Sequence, residues 1–130
     1  MLEITSELGA RLKQEEIIWF TTVSPSGRPL PNPVWFDWDG EAIIVYSQPE
    51  SQRVRNIQRN PNVALHLQGV DGSGNNVVII QGEAVLRPDN RVIPTRYWDK
   101  YSKFLQEMTA EEMILAYSVE IRVRPLRVRG

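Results

Sequence analysis

Pro29, Pro31 and Pro33, spaced two apart, restrict the fold of this chain more than any other feature. They lie in a strand-like stretch, about residues 28–38, between the turn Ser24-Pro25-Ser26-Gly27 and the hairpin signal Asp39-Gly40. Alternate residues of a strand send their N–H groups to the same side. Proline has none, so one side of this strand offers no ladder donor at three successive positions. The segment is therefore predicted to be a sheet edge or locally irregular. Ile17–Val23 before it is β-branched and aromatic, and residues 42–46 after the hairpin are apolar. Together they predict three consecutive antiparallel strands, with Asp37 and Asp39 as turn residues.

Further along, Val63, Leu65 and Leu67 alternate with Ala64, His66 and Gln68, which predicts a half-buried strand with His66 on its outer face. A Gly/Asn/Asp-rich loop at 69–76 leads into a fifth strand over 77–86. The last strand is predicted over 117–129. Its apolar positions change parity after Pro125, which calls for a bulge there. Helices are predicted over 3–16, capped by Thr5 or Ser6, over 91–106, and from Thr109 to about Ala116, where Thr109 and Glu112 form a capping box. Six short strands joined mainly by hairpins, with short helices between them, predict a mainly β single domain over residues 1–130. The arrangement is a small antiparallel barrel with peripheral helices.

The stretch 47–61 is the strongest candidate site. It gathers Arg53, Arg55 and Arg59 against one acid, Glu50, in a chain of net charge −1. Ser47 and Glu50 match the S-x-x-E capping pattern, and Pro49 suits a first helical turn. A helix start offers free N–H groups and partial positive charge. With Ser47, Ser51, Gln52 and the arginines it suits a phosphate or carboxylate. Arg53 and Arg55 point about 200° apart on an ideal helix, so one phosphate meets both only near the helix start.

Several functions are disfavoured. The chain has no cysteine and one histidine, which leaves no thiolate or multi-histidine metal site, and no serine lies in a G-x-S-x-G setting, which disfavours a Ser-His-acid triad. A pI near 5.9 argues against nucleic acid as partner. No apolar run has the length of a membrane span, and no signal-like segment opens the chain, so a cytoplasmic location is expected. No side chain stands out as a catalytic acid, base or nucleophile. Four tryptophans, Trp19, Trp35, Trp38 and Trp98, serve either a core, as expected of Trp19, or a stacking wall for a flat ligand. That combination favours a protein that positions a cofactor.

The ordered segments Trp19-Phe20-Thr21-Thr22-Val23, Ser26-Gly27-Arg28-Pro29, Pro33-Val34-Trp35-Phe36, Tyr46-Ser47, Arg53-Val54-Arg55-Asn56-Ile57, Asn60-Pro61-Asn62-Val63-Ala64-Leu65-His66 and Gln81-Gly82-Glu83-Ala84 resemble the pyridoxamine 5′-phosphate oxidase-like family. They are most similar to its small actinobacterial branch of coenzyme F-420 (deazaflavin)-dependent enzymes. The resemblance implies a six-stranded antiparallel split β-barrel of the FMN-binding type. It further implies a homodimer with cofactor sites at the interface and an F-420-dependent oxidoreductase acting on a small organic substrate. FMN is the alternative cofactor, in an oxidase or flavin reductase, and a non-catalytic flavin-binding protein is the third reading. On the family pattern, Ser47, Arg53, Arg55 and Asn56 hold the cofactor phosphate, with Ser51 and Gln52 nearby. Backbone groups of Pro33, Val34 and Trp35 lie along the ring, and the segment around Trp98 reaches the site from the partner subunit. Arg53 stands where the family commonly has lysine; it keeps the charge and adds a planar fork.

Overall fold

The computed structural model describes residues 2–69, 71–105 and 107–129. Among them, seven strands form one antiparallel sheet: β1 (Ile18–Val23), β2 (Pro29–Val34), β3 (Asp37–Trp38), β4 (Ile43–Ser47), β5 (Asn62–Leu67), β6 (Val78–Arg87) and β7 (Val119–Arg129). Their order is β2-β1-β5-β6-β7-β4-β3. The proline-bearing β2 lies at an edge, as its missing donors require.

The other edge is β3, and only Trp35 and Phe36 separate it in sequence from β2. Three Cα–Cα steps span at most about 11 Å, so the sheet must curl until its two edges meet. Residues 29–38 thus act as one bent strand shared between both edges, pairing with β1 through 29–34 and with β4 through 37–38. Counted that way, the barrel has the six strands expected. It is closed by the covalent chain at Trp35-Phe36, where a ladder is missing.

The barrel interior is filled by Ile18, Phe20, Phe36, Ile43, Leu65, Leu67, Ile80 and Ile121. Helix α1 (Ser6–Gln14) adds Leu8 and Leu12 to this core, and α2 (Gln52–Arg59) adds Val54 and Ile57. A second cluster forms on the outer side of β4, where Ile44 and Tyr46 pack under Tyr97 and Tyr101 of α3 (Thr95–Tyr101) and Met113 of α4 (Ala110–Ala116). All five residues of β4 are buried, because both of its faces are covered.

Thr5 caps α1 and Thr109 caps α4, each accepting from a backbone N–H three residues on. The bulge in the last strand is present: Gln81 pairs with Arg127 and Gly82 with Pro125, leaving Leu126 as the extra residue. It turns Val128 back toward the core. Gly82 faces this crossing closely, and a Cβ there would lie 2.7 Å from the Arg124 carbonyl oxygen.

Four expectations are corrected. Ser47 does not cap α2; it is paired with Val119 at the end of β4, and Ser51 caps the helix by accepting from the Val54 N–H at 3.4 Å. The chain must first leave β4 through the turn 48–51, so the helix begins at Gln52. The helix expected over 91–106 shrinks to Thr95–Tyr101 plus a 3-10 turn at Ser102–Phe104, because Pro94 holds the chain extended up to that point; Gln106 lies outside the described residues. Asp37 is a buried partner of Arg96, with contacts at 2.8 and 2.7 Å, whereas Asp39 is the turn residue, accepting from Glu41 and Ala42. Trp19 is half-buried on the outer face of the sheet, stacked on His66 at 6.0 Å, and lies outside the core.

Candidate cofactor site

A cavity of about 430 Å³ opens where the closing link, β4, α2 and the α3–α4 layer converge. Pro33, Val34 and Trp35 supply one wall, and Tyr46, Tyr97 and Tyr117 another. Phe104, Leu105, Met108 and Met113 supply the rest of its apolar surface. Two charged side chains reach it, Arg53 and Glu107. Its size is ordinary for a small-molecule site, and mostly apolar walls with few polar groups are the usual composition of one.

Arg53 is the distinctive group. It sits half-buried in the first turn of α2 and donates to Ser47 Oγ at 3.2 Å. Among the described residues it forms no ion pair with a carboxylate. Loss of water around it pulls its pKa below the ordinary arginine value, yet a guanidinium remains cationic. A partly desolvated charge with only a neutral hydroxyl as partner is costly unless an anion completes it. Arginine's planar fork matches a phosphate.

The neighbouring candidates fall into place around Arg53 in different ways. Asn56 is fully buried: its Oδ1 accepts from Gln52 at 2.8 Å, and its Nδ2 donates to Thr22 Oγ1 at 3.0 Å. It ties α2 to β1 and spends its amide on the protein. Arg55 points to solvent and donates to Gln52 Oε1 at 2.9 Å. Ser51 is committed to the cap. Trp98 packs edge-on against Tyr97, with ring centroids 5.8 Å apart, and is outside the cavity wall. Of the ten sequence candidates, the geometry brings Pro33, Val34, Trp35 and Arg53 to the cavity, with Ser47 held directly behind Arg53.

Tyr97, Phe104, Leu105, Glu107, Met108, Met113 and Tyr117 were not foreseen as lining residues. Burial raises the pKa of Tyr46 and Tyr97 well above the usual phenol value, with nearby Asp37 adding to both. These two present neutral hydroxyls. His66 lies away from the cavity, on the outer face beside Trp19. No cluster of three potential metal ligands occurs among the described residues. None of their helices is long and apolar enough to cross a membrane.

A curled barrel whose chain closes at an aromatic link, with a half-buried arginine on the cavity beside it, defines a split-barrel architecture. Residues 4–130 match the family described as pyridoxamine 5′-phosphate oxidase, and the chain belongs to that family. No curated protein matches it. Among solved structures it is similar to an F420 reductase, with 28% identity over 97% of this chain and 98% of that one and a TM-score of 0.78. A conserved hypothetical protein from Mycobacterium tuberculosis shares 19% identity, covering 99% of this chain and 84% of its own, with a TM-score of 0.80. HutZ from Vibrio cholerae, a heme storage protein, shares 14% identity over 98% and 94% of the two chains, with a TM-score of 0.64. The last two likenesses concern the fold alone.

Proposed function

We propose that this protein is an F-420-dependent oxidoreductase of the pyridoxamine 5′-phosphate oxidase family, transferring hydride between the deazaflavin and a small organic acceptor. The observation that carries the reading is Arg53: a half-buried guanidinium without a carboxylate partner, on the wall of an aromatic cavity. The donor set fits the cofactor. Arg53 holds a phosphate oxygen, and Ser47 keeps the guanidinium aimed into the cavity. Trp35 and the backbone of Pro33 and Val34 form the surface along the ring. Asn56 holds α2 against β1, so that Arg53 meets the phosphate in a fixed position. Arg55 and Gln52 face solvent beside it and add positive potential and polar contacts. When bound, F-420 supplies the hydride chemistry. The chain binds, orients and excludes water, and its buried tyrosines donate hydrogen bonds.

F-420 is preferred to FMN because the 28% identity to an F420 reductase runs the full length of both chains. FMN is the second reading, since the same arginine and aromatic wall suit its phosphate and ring. Haem has less support here, because the chain's one histidine lies outside the cavity.

The site works in a homodimer. The row Pro33–Trp19–His66–Ile79–Arg129 crosses five strands on the outer face of the barrel. Ile79 is 45% exposed and Ile17 nearby 43%. Pro33 belongs both to this row and to the cavity wall, so a second copy seated on the row closes the cavity.

The test is anaerobic turnover. Purified protein mixed with reduced F-420 and a panel of quinone and enone acceptors should oxidise the deazaflavin catalytically. A protein that arrives yellow and turns over only FMN favours the second reading. Tight binding of either cofactor without turnover indicates a carrier.

A further inference from the structure

The link Trp35-Phe36 belongs to neither strand that it joins, so Phe36 has no ladder partner. Phe36 is fully buried, and its backbone polar groups must be paired elsewhere. Helix α3 provides the partners. The Phe36 N–H donates to Tyr101 Oη at 3.0 Å. The Phe36 carbonyl accepts from Lys100 Nζ at 3.2 Å, and that ammonium also sits 3.9 Å from the centroid of the Phe36 ring. The Tyr101 hydroxyl has one proton, which goes to the Glu16 carbonyl, its nearest acceptor, at 2.7 Å. The phenol thereby bridges the start of β1 and the closing link.

The same side chain sets the wall of the cavity. Tyr101 is fully buried, and its ring stacks on the Trp35 indole with centroids 4.6 Å apart and planes within 10°. Trp35 lines the cavity and Tyr101 does not. The bidentate contact between Arg96 and Asp37 fastens α3 to the far side of the link. Trp35 is therefore held from behind by a ring that is itself pinned by two backbone atoms, the Phe36 nitrogen and the Glu16 carbonyl oxygen.

We propose that Tyr101 is a positioning residue for the ligand: it fixes the plane of Trp35, against which a flat ring stacks, without touching the ligand. The inference rests on the flavin-type reading of the cavity and extends it to a residue behind the wall. It makes α3 and the cavity wall one mechanical unit.

The test is a double-variant cycle with Tyr101→Phe and Trp35→Leu, titrated with F-420 and FMN. Tyr101→Phe keeps the ring and removes the anchoring hydroxyl. It should weaken binding roughly fivefold to tenfold, the scale of one aromatic stacking interaction. In the Trp35→Leu background the same change should have little further effect, because the wall that Tyr101 orients is gone. Losses that multiply in the double variant would overturn the inference and assign Tyr101 to general stability. The ligand-free protein gives a second readout: the Trp35 indole N–H resonance, assigned by its absence in Trp35→Leu, should shift or broaden in Tyr101→Phe. An unmoved resonance also overturns it. Wild-type protein that binds neither cofactor overturns the site reading and this inference together; binding with multiplying losses overturns this inference alone.

Discussion

Arg53 and Arg55 differ by two positions, and the helix sends them to opposite fates. Arg53 turns inward to Ser47 and the cavity; Arg55 turns outward to Gln52. That divergence was legible from helical geometry alone. The role of Asn56 was not. The family resemblance implied a phosphate ligand at Asn56, but only the fold shows Thr22 across the interface on β1. Thr22 is 1% exposed, so removing its partner strands a buried hydroxyl. Asn56→Ala should cost about 1–3 kcal/mol, read by urea denaturation. It should also weaken cofactor binding indirectly by loosening α2. Unchanged stability with lost binding would instead make Asn56 a direct ligand.

At the scale of elements, turn chemistry and strand alternation located the barrel strands to within a few residues, and the parity change after Pro125 located the bulge. The interruption of the proline-rich strand at Trp35-Phe36 was hidden, because its cause lies far along the chain in α3. The cavity residues from α3 to α4 were hidden too. Apolar residues such as Met113 and Leu105 read identically whether they face a core or a ligand. Lys100 gives this layer a pH signature. Burial lowers its pKa from the ordinary 10.5 to about 8, against the pull of Asp37, Glu16 and Glu15. Between those two values the unfolded chain binds more protons than the folded one, so stability rises with pH across that window. Below about 8 the full cost of burying the charge is present. Lys100→Met keeps apolar contact with Phe36 and has no charge to bury. The variant leaves the Phe36 carbonyl without its Lys100 partner, and the cost of that lost bond offsets the gain from removing the charge. It should lose the Lys100 contribution to the rise between about pH 8 and 10, read by urea denaturation at several pH values. Parallel pH profiles for the two proteins would contradict this.

For the whole molecule, the barrel exists because ten residues of one bent strand serve both edges of a sheet. That closure brings Pro33 to Trp35 beside β4 and α2, and the helix layer over β4 completes the cavity. Family membership over residues 4–130 agrees with this split-barrel architecture. The central claim is that Arg53 binds the phosphate of the proposed cofactor, and a set of six titrations tests it most directly. F-420 is titrated into wild type and Arg53→Ala, and FMN is compared with riboflavin, which lacks the phosphate, on the same two proteins. Charge-assisted hydrogen bonds to phosphate contribute about 1.5–3 kcal/mol, so Arg53→Ala should weaken F-420 and FMN roughly tenfold to a hundredfold. Riboflavin should bind both proteins equally, and the variant should be no less stable than wild type. A loss for riboflavin as large as for FMN, or unchanged F-420 affinity in Arg53→Ala, would contradict the assignment.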